Sequence, residues 1–261
     1  MSHEEIREKN LFYSVIGGSF RVQVSADHPE AVRRDWTSAD GSKSGTKYER
    51  IIKSLVGHIE DIQFRDGEYG MQIMVALDPN ADGWKPVIAL PTGSREAEDL
   101  MRKLPGVDFT KEVKLRPFNF EGNDGEVRGM EILQSDGTDF TIKVKNFFRD
   151  AEKKENINGF PNPEGDTSSY SKDDWKLYFL QARKFLVSYT RDKVSAAVAQ
   201  AYIDRTNAPE VKTEEQKAVE EYDNLTPQSA PVKVTPPNFI KPRTRSKEEI
   251  EEGINLDEQP F

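Results

Sequence analysis

Between Tyr69 and Leu77 the sequence alternates without a break. Tyr69, Met71, Ile73, Val75 and Leu77 fall in one phase, and Gly70, Gln72, Met74 and Ala76 in the other. A period of two puts the first set on one face of a β-strand, whereas a helix through the same residues would scatter them around its surface. The chain therefore has to build a sheet, and the flanking segments supply further strands. Arg65-Asp66-Gly67-Glu68 precedes the run as a turn, and Asp78-Pro79-Asn80-Ala81-Asp82-Gly83 follows it into a third strand, Trp84 to Leu90. Upstream, Phe20 to Val24 alternates in the same way, and the polar, Gly/Ser-containing stretch from Ser38 to Lys47 reads as a mobile loop. Tyr48 to Phe64 reads as one longer strand. Its apolar phase passes from Leu55, Gly57 and Ile59 to Ile62 and Phe64, a switch beside glycine expected of a bulged, coiled strand.

After Leu90 the period becomes helical. Ala97, Leu100, Met101 and Leu104 recur behind a Ser94 cap and stop at Pro105-Gly106. Two more strands follow, Glu112 to Phe120 and Glu126 to Gln134, joined by a Gly/Asn/Asp turn, and Phe140 to Lys145 alternates as a possible extension of the sheet. Strands, one short helix, then two strands is the order of the OB-fold. The expected fold is thus mainly β: an OB-type five-stranded Greek-key barrel with a helix between strands 3 and 4, a C-terminal helical segment and a disordered tail.

The expected divisions are an N-terminal strand and basic loop (1–47), the barrel (48–155), a loop and helical extension (156–206) and an acidic tail (207–261). In the extension Ser171 caps a helix with Asp173 and Asp174 in its first turn. The apolar stripe is Trp175, Tyr178, Phe179, Ala182, Phe185, Leu186 and Tyr189, which packs on the barrel or on another subunit; a second stretch carries Val194, Ala197, Val198, Ala201 and Tyr202. From Asn207 the chain is polar and carries Pro227, Pro231, Pro236, Pro237 and Pro242. It offers too little apolar area to offset chain entropy, and disorder is expected.

Charge narrows the function. With 32% charged residues, no stretch approaches the roughly 20 apolar residues of a membrane helix, and the acidic start lacks the basic and apolar segments of a secretion signal. There are 0 cysteines, which excludes disulfides and thiolate metal sites and suits a reducing cytoplasm, the expected location. The net charge is -9, but residues 207–261 hold 7 Lys/Arg against 12 Asp/Glu, a net of -5 that leaves -4 for the rest. A nucleic-acid site would have to be a local basic face. His3, His28 and His58 have no metal-ligand spacing, no phosphate loop or nucleophile motif appears, and Glu60-Asp61 reads as solvated on opposite faces of a strand. Neither catalysis nor a cofactor or metal is expected.

Lys114, Arg116, Phe118 and Phe120 share one strand face, opposite Val113 and Leu115. Cations beside rings on one face suit a single strand of DNA, because cations meet phosphates and rings stack on any base. Phe118 and Phe120 would serve equally well as caps on the barrel end. Lys143 and Lys145 repeat the pattern. Trp84 and Lys85 open the third strand, and Trp36 lies among Arg33, Arg34, Lys43 and Lys47, with Tyr48, Arg50, Arg65 and Tyr69 as weaker candidates. Glu248 to Phe261 holds 6 acidic residues and no basic one. A solubilising tail explains that composition; a final Phe with its carboxylate beside acidic side chains also makes a docking peptide.

The terminal Leu256-Asp257-Glu258-Gln259-Pro260-Phe261 resembles the acidic, Pro-Phe-ending tip of bacterial single-stranded-DNA-binding proteins, whose phage counterparts also end in acidic residues and Phe. The stretch from Tyr48 to Gln134, with Phe64-Arg65-Asp66, Tyr69-Gly70 and Leu115-Arg116-Pro117-Phe118, is similar to the phage-type members. The chain departs from the bacterial proteins in its helical segment 172–205 and in Gln259. The resemblance implies protection of single-stranded DNA in replication, recombination and repair, with possible homo-oligomers. It also implies recruitment of partner enzymes through Asp257, Glu258, Pro260 and Phe261. The rival expectation is an OB-type adaptor in a phage replisome or virion that does not touch DNA.

Overall fold

The computed structural model describes residues 9–38, 41–67, 70–123 and 125–207. Within them eleven strands form two sheets: β1 (Lys9–Ile16), β2 (Ser19–Gln23), β3 (Val32–Thr37), β4 (Ser44–Ile52), β5 (Leu55–Gly57), β6 (Ile59–Gly67), β7 (Gly70–Leu77), β8 (Trp84–Pro91), β9 (Val113–Gly122), β10 (Gly125–Gln134) and β11 (Ile142–Lys143). The helices are α1 (Arg95–Lys103), α2 (Lys172–Tyr189) and α3 (Ser195–Asn207). The larger sheet runs β3-β4-β2-β1-β8-β7-β6 and is antiparallel except where β1 pairs parallel with β8; the smaller runs β11-β10-β9-β5. The chain is mainly β, and the described strands close no barrel.

Period-two patterning decides which face is buried. Tyr13, Phe20, Val22, Ile73, Val75, Leu77, Ile88 and Leu90 turn one face of the large sheet inward. There they meet Val113, Leu115, Met130 and Ile132 of the small sheet and Ala97, Leu100, Met101 and Leu104 of α1 in one core. Ser94 caps α1 by accepting from the Ala97 N–H at 3.1 Å, with Glu96 and Glu98 in its first turn and Arg102 and Lys103 in its last. Helix α2 begins with a capping box between Ser171 and Asp174. It seats Phe185 and Tyr189 against Phe148, whose ring also meets Phe160. A π turn, Thr190–Val194, carries the chain from α2 into α3.

The β6 edge of the large sheet, and the stretch of β10 that the short β11 leaves unpaired, are covered, which blocks further strand pairing there. The Ser195 hydroxyl donates to the Ile62 carbonyl on β6 at 3.1 Å. Along β10, Asp99 of α1 accepts from the Met130 N–H at 2.8 Å and Lys103 donates to the Met130 carbonyl at 2.8 Å.

Several expectations need correcting. Only part of the expected Ser38 to Lys47 loop is one: Ser38 and residues 41–43 lie outside the strands, whereas Ser44 to Lys47 belong to β4, which pairs with β3 as a hairpin with Arg34 opposite Lys47 and Trp36 opposite Gly45, because strand pairing overrides the polar composition. Strand β4 thereby runs across the 47/48 division. The single strand expected from Tyr48 to Phe64 is three strands in two sheets. It breaks after Ile52 and again at His58, where Asp78 accepts from the His58 N–H at 2.9 Å. The phase switch near Gly57 does coincide with a register shift between Ile59 and Asp61. That bulge aims Glu60 at Lys85, 2.9 Å away, so Glu60 is paired and largely buried instead of solvated. Phe140 to Lys145 contributes only Ile142–Lys143 as strand. The whole of β1 went unforeseen.

Candidate nucleic-acid interface

The outer face of the small sheet holds a groove of about 630 Å³. Its floor follows from strand register. Arg116, Phe118 and Phe120 on β9 pair across to Glu131, Gly129 and Val127 on β10, so all six residues face the same way. Lys143 of β11 lies against the same end. One wall is the β1–β2 turn, where Gly18 holds φ +72 and a side chain would collide with the Asn119 nitrogen at 2.5 Å. Lys53, between β4 and β5, completes the rim.

Gly129 makes the bed for one ring. A Cβ there would come within 2.4 Å of the Phe118 ring and of Asp99, so Phe118 lies across β10 where the strand has no side chain. Phe120 is exposed, its centroid 5.9 Å from that of Phe118 and the planes 31° apart. The two rings give a tilted apolar shelf beside three cations, Lys53, Arg116 and Lys143.

One carboxylate sits among those cations. Glu131 pairs with the Arg116 guanidinium and accepts from Lys143 at 2.8 Å; its side chain is 12% exposed, against 54% and 66% for the cations. The Lys143 and then the Arg116 hydrogen bonds hold its carboxyl below the usual range against the opposing effect of burial. Arg116 and Lys143, which line the groove, thus keep more than half of their side-chain surface open to solvent.

Of the remaining sequence candidates, Lys114 shares the groove's face but lies over the Phe140 ring at 5.8 Å, and Lys145 does not line the groove. The hairpin candidates form a separate group on the large sheet. Arg34 makes a bidentate bond to Glu49 at 2.6 and 2.9 Å, Arg21 joins at 3.3 Å, and Lys47 lies 5.3 Å from the Trp36 ring. Burial pushes the Glu49 carboxyl up, but Arg34 and Arg21 outweigh it and the result is downward. Arg33 pairs with Asp35 on its own strand, and Arg50 with Glu30. Tyr48 is half-buried and Lys43 exposed. Arg65 donates to Gln63 at 3.1 Å, Lys85 is taken by Glu60, and Trp84 lies under Lys9. None of these lines the groove.

Tyr69, Asp257, Glu258, Pro260 and Phe261 fall outside the described residues. Sequence reasoning missed Lys53, the Gly17-Gly18 turn and Glu131, all brought in by long-range pairing; the one available signal was Glu131 at the register position opposite Arg116. Among the described residues no three His, Cys, Asp or Glu side chains gather as a metal site, and no helix is long and apolar enough to cross a membrane. Comparison of the chain with protein-family models, with curated proteins and with solved structures gave no match.

Proposed function

We propose that the chain binds single-stranded DNA with little regard to sequence, in the groove on the outer face of the small sheet. One observation carries the reading: Phe118 and Phe120 stand side by side within a groove edged by Arg116, Lys143 and Lys53. Phe120 is exposed and Phe118 half-buried; accessible rings next to cations are what a strand with unpaired bases needs, and each stacked base contributes about 1–3 kcal/mol. The small sheet's other face belongs to the core, so binding asks for no rearrangement of the fold.

The element order, with α1 between β8 and the β9–β10 hairpin, supports an OB-type ancestry elaborated by β1 and the β3–β4 hairpin. Within the proposal the acidic terminus recruits replication or recombination enzymes through Phe261 and its neighbouring carboxylates. Titrating the full chain with fluorescently labelled oligo-dT at low and high salt tests the reading. Binding that weakens as salt rises is expected, and no binding at low salt discards it.

One observation favours an adaptor instead. Leu177, Phe179 and Leu180 on the N-terminal half of α2 are all exposed, an apolar surface suited to protein contact. If that reading holds, Leu180→Asp abolishes assembly with a partner while oligo-dT binding is absent in the unaltered chain.

A further inference from the structure

We infer that Glu131 is a built-in substitute for a phosphate: it occupies Arg116 and Lys143 while the groove is empty and lowers the groove's affinity for a strand. The inference rests on the single-stranded-DNA reading and describes how that site is regulated.

The geometry is that of a shared counter-ion. Glu131 faces Arg116 directly across the β9–β10 ladder, and one carboxylate oxygen goes to each cation. A carboxylate presents to guanidinium and ammonium groups the same paired oxygens that a phosphate does. Being the least exposed of the three, the carboxylate stays against the sheet while both cations reach past it into the groove. The arrangement keeps Arg116 and Lys143 ordered next to the Phe118–Phe120 shelf. It also means that an incoming phosphate meets a cluster of net charge +1 where the two cations alone would carry +2.

The consequence is measurable through salt dependence. For single strands, log Kobs falls with log salt by about 0.7 for each phosphate neutralised. In the full chain, Glu131→Gln keeps the shape and removes the counter-charge. Its slope with oligo-dT should steepen by about 0.7. Its affinity at low salt should rise about threefold or more, in line with release of a partly exposed ion pair. Glu152→Gln removes the same formal charge from a residue that does not line the groove, and should move neither quantity as far. Glu131→Asp, too short to span both cations, should shift in the same direction as Glu131→Gln by a smaller amount and covers the case in which the amide variant folds poorly.

An affinity and slope for Glu131→Gln equal to those of the unaltered chain or of Glu152→Gln overturn the inference while leaving DNA binding intact. Weaker binding by a folded Glu131→Gln chain overturns it too, since Glu131 would then assist the site. If the unaltered chain does not bind oligo-dT at all, the DNA-binding reading fails, and this inference with it.

Discussion

The groove on the small sheet and the β3–β4 end of the large sheet are built from the same parts to opposite ends. Each lays an aromatic ring across a cross-strand glycine, Phe118 over Gly129 and Trp36 over Gly45. Each places one carboxylate between two cations. In the hairpin, however, the Glu49 side chain is 7% exposed and its partners Arg21 and Arg34 only 19% and 33%, whereas Arg116 and Lys143 stand mostly in solvent. A cation withdrawn from water with a fitted counter-ion holds strands together; one left in solvent beside a ring is available to a ligand. Residue type alone does not separate the two cases.

The sharpest way to break this comparison is to remove each carboxylate. Glu49→Ala leaves two half-buried guanidinium groups without their acceptor and should cost about 2 kcal/mol, less than the roughly 3–5 expected for a fully buried pair because Arg34 reaches solvent. Glu131→Ala should cost under about 1 kcal/mol, as exposed pairs do. Urea unfolding of both variants decides it; equal losses would remove the distinction between a structural and an available cluster.

The rings should divide along the same line. Phe118→Ala and Phe120→Ala should each weaken oligo-dT binding by about tenfold, corresponding to roughly 1.4 kcal/mol, within the range for one stacked base. Trp36→Ala should change oligo-dT affinity by less than about twofold while lowering the thermal midpoint. Loss of binding from Trp36→Ala alone would transfer the site to the hairpin.

What was legible beforehand follows from the range of the interactions. Arg116, Phe118 and Phe120 share a face because they lie two apart on one strand, and any extended chain would show it. The Ser94 cap and the Ser171–Asp174 box are equally local. Strand β1 was hidden because Phe12 and Ile16, apolar and exposed, blur the alternation of Leu11, Tyr13 and Val15, and because its parallel partner β8 lies some 75 residues on. The hairpin was hidden by Gly41, Ser42 and Ser44, whose polarity says nothing about pairing. Lys53 and Gly18 reach the groove only once two sheets meet, and the place of Trp36 in a strand depends on Gly45, which lies beneath its ring on the paired strand.

Acid should act more strongly on the hairpin. The folded Glu49 carboxyl lies below its ordinary value of 4.5, so its stabilisation is present above that value and fades as pH falls through the lowered one. The stability gap between the unaltered chain and Glu49→Gln should therefore be full at about pH 6 and narrow as the pH falls below 4.5 through the lowered value, beneath which both forms lack the charge. Glu131 shifts in the same direction, and the gap for Glu131→Gln should narrow similarly from a smaller start. A gap for Glu49→Gln that widens on acidification would show that the carboxylate is not what Arg21 and Arg34 rely on.

The finest division is between two lysines. Lys47 lies over the Trp36 ring, and Lys143 reaches into the groove from the Glu131 pair. Lys143→Gln leaves Arg116 and Glu131 a neutral pair, so the salt slope of oligo-dT binding should flatten by about 0.7, one phosphate contact on a single strand. Lys47→Gln removes the same charge from the chain and should leave the slope unchanged within error. Since both variants alter the overall charge equally, general attraction between protein and DNA cannot produce a difference between them; only the position of the lysine can. Equal flattening by both would mean that the strand runs over hairpin and groove alike, and the two clusters would then form one site.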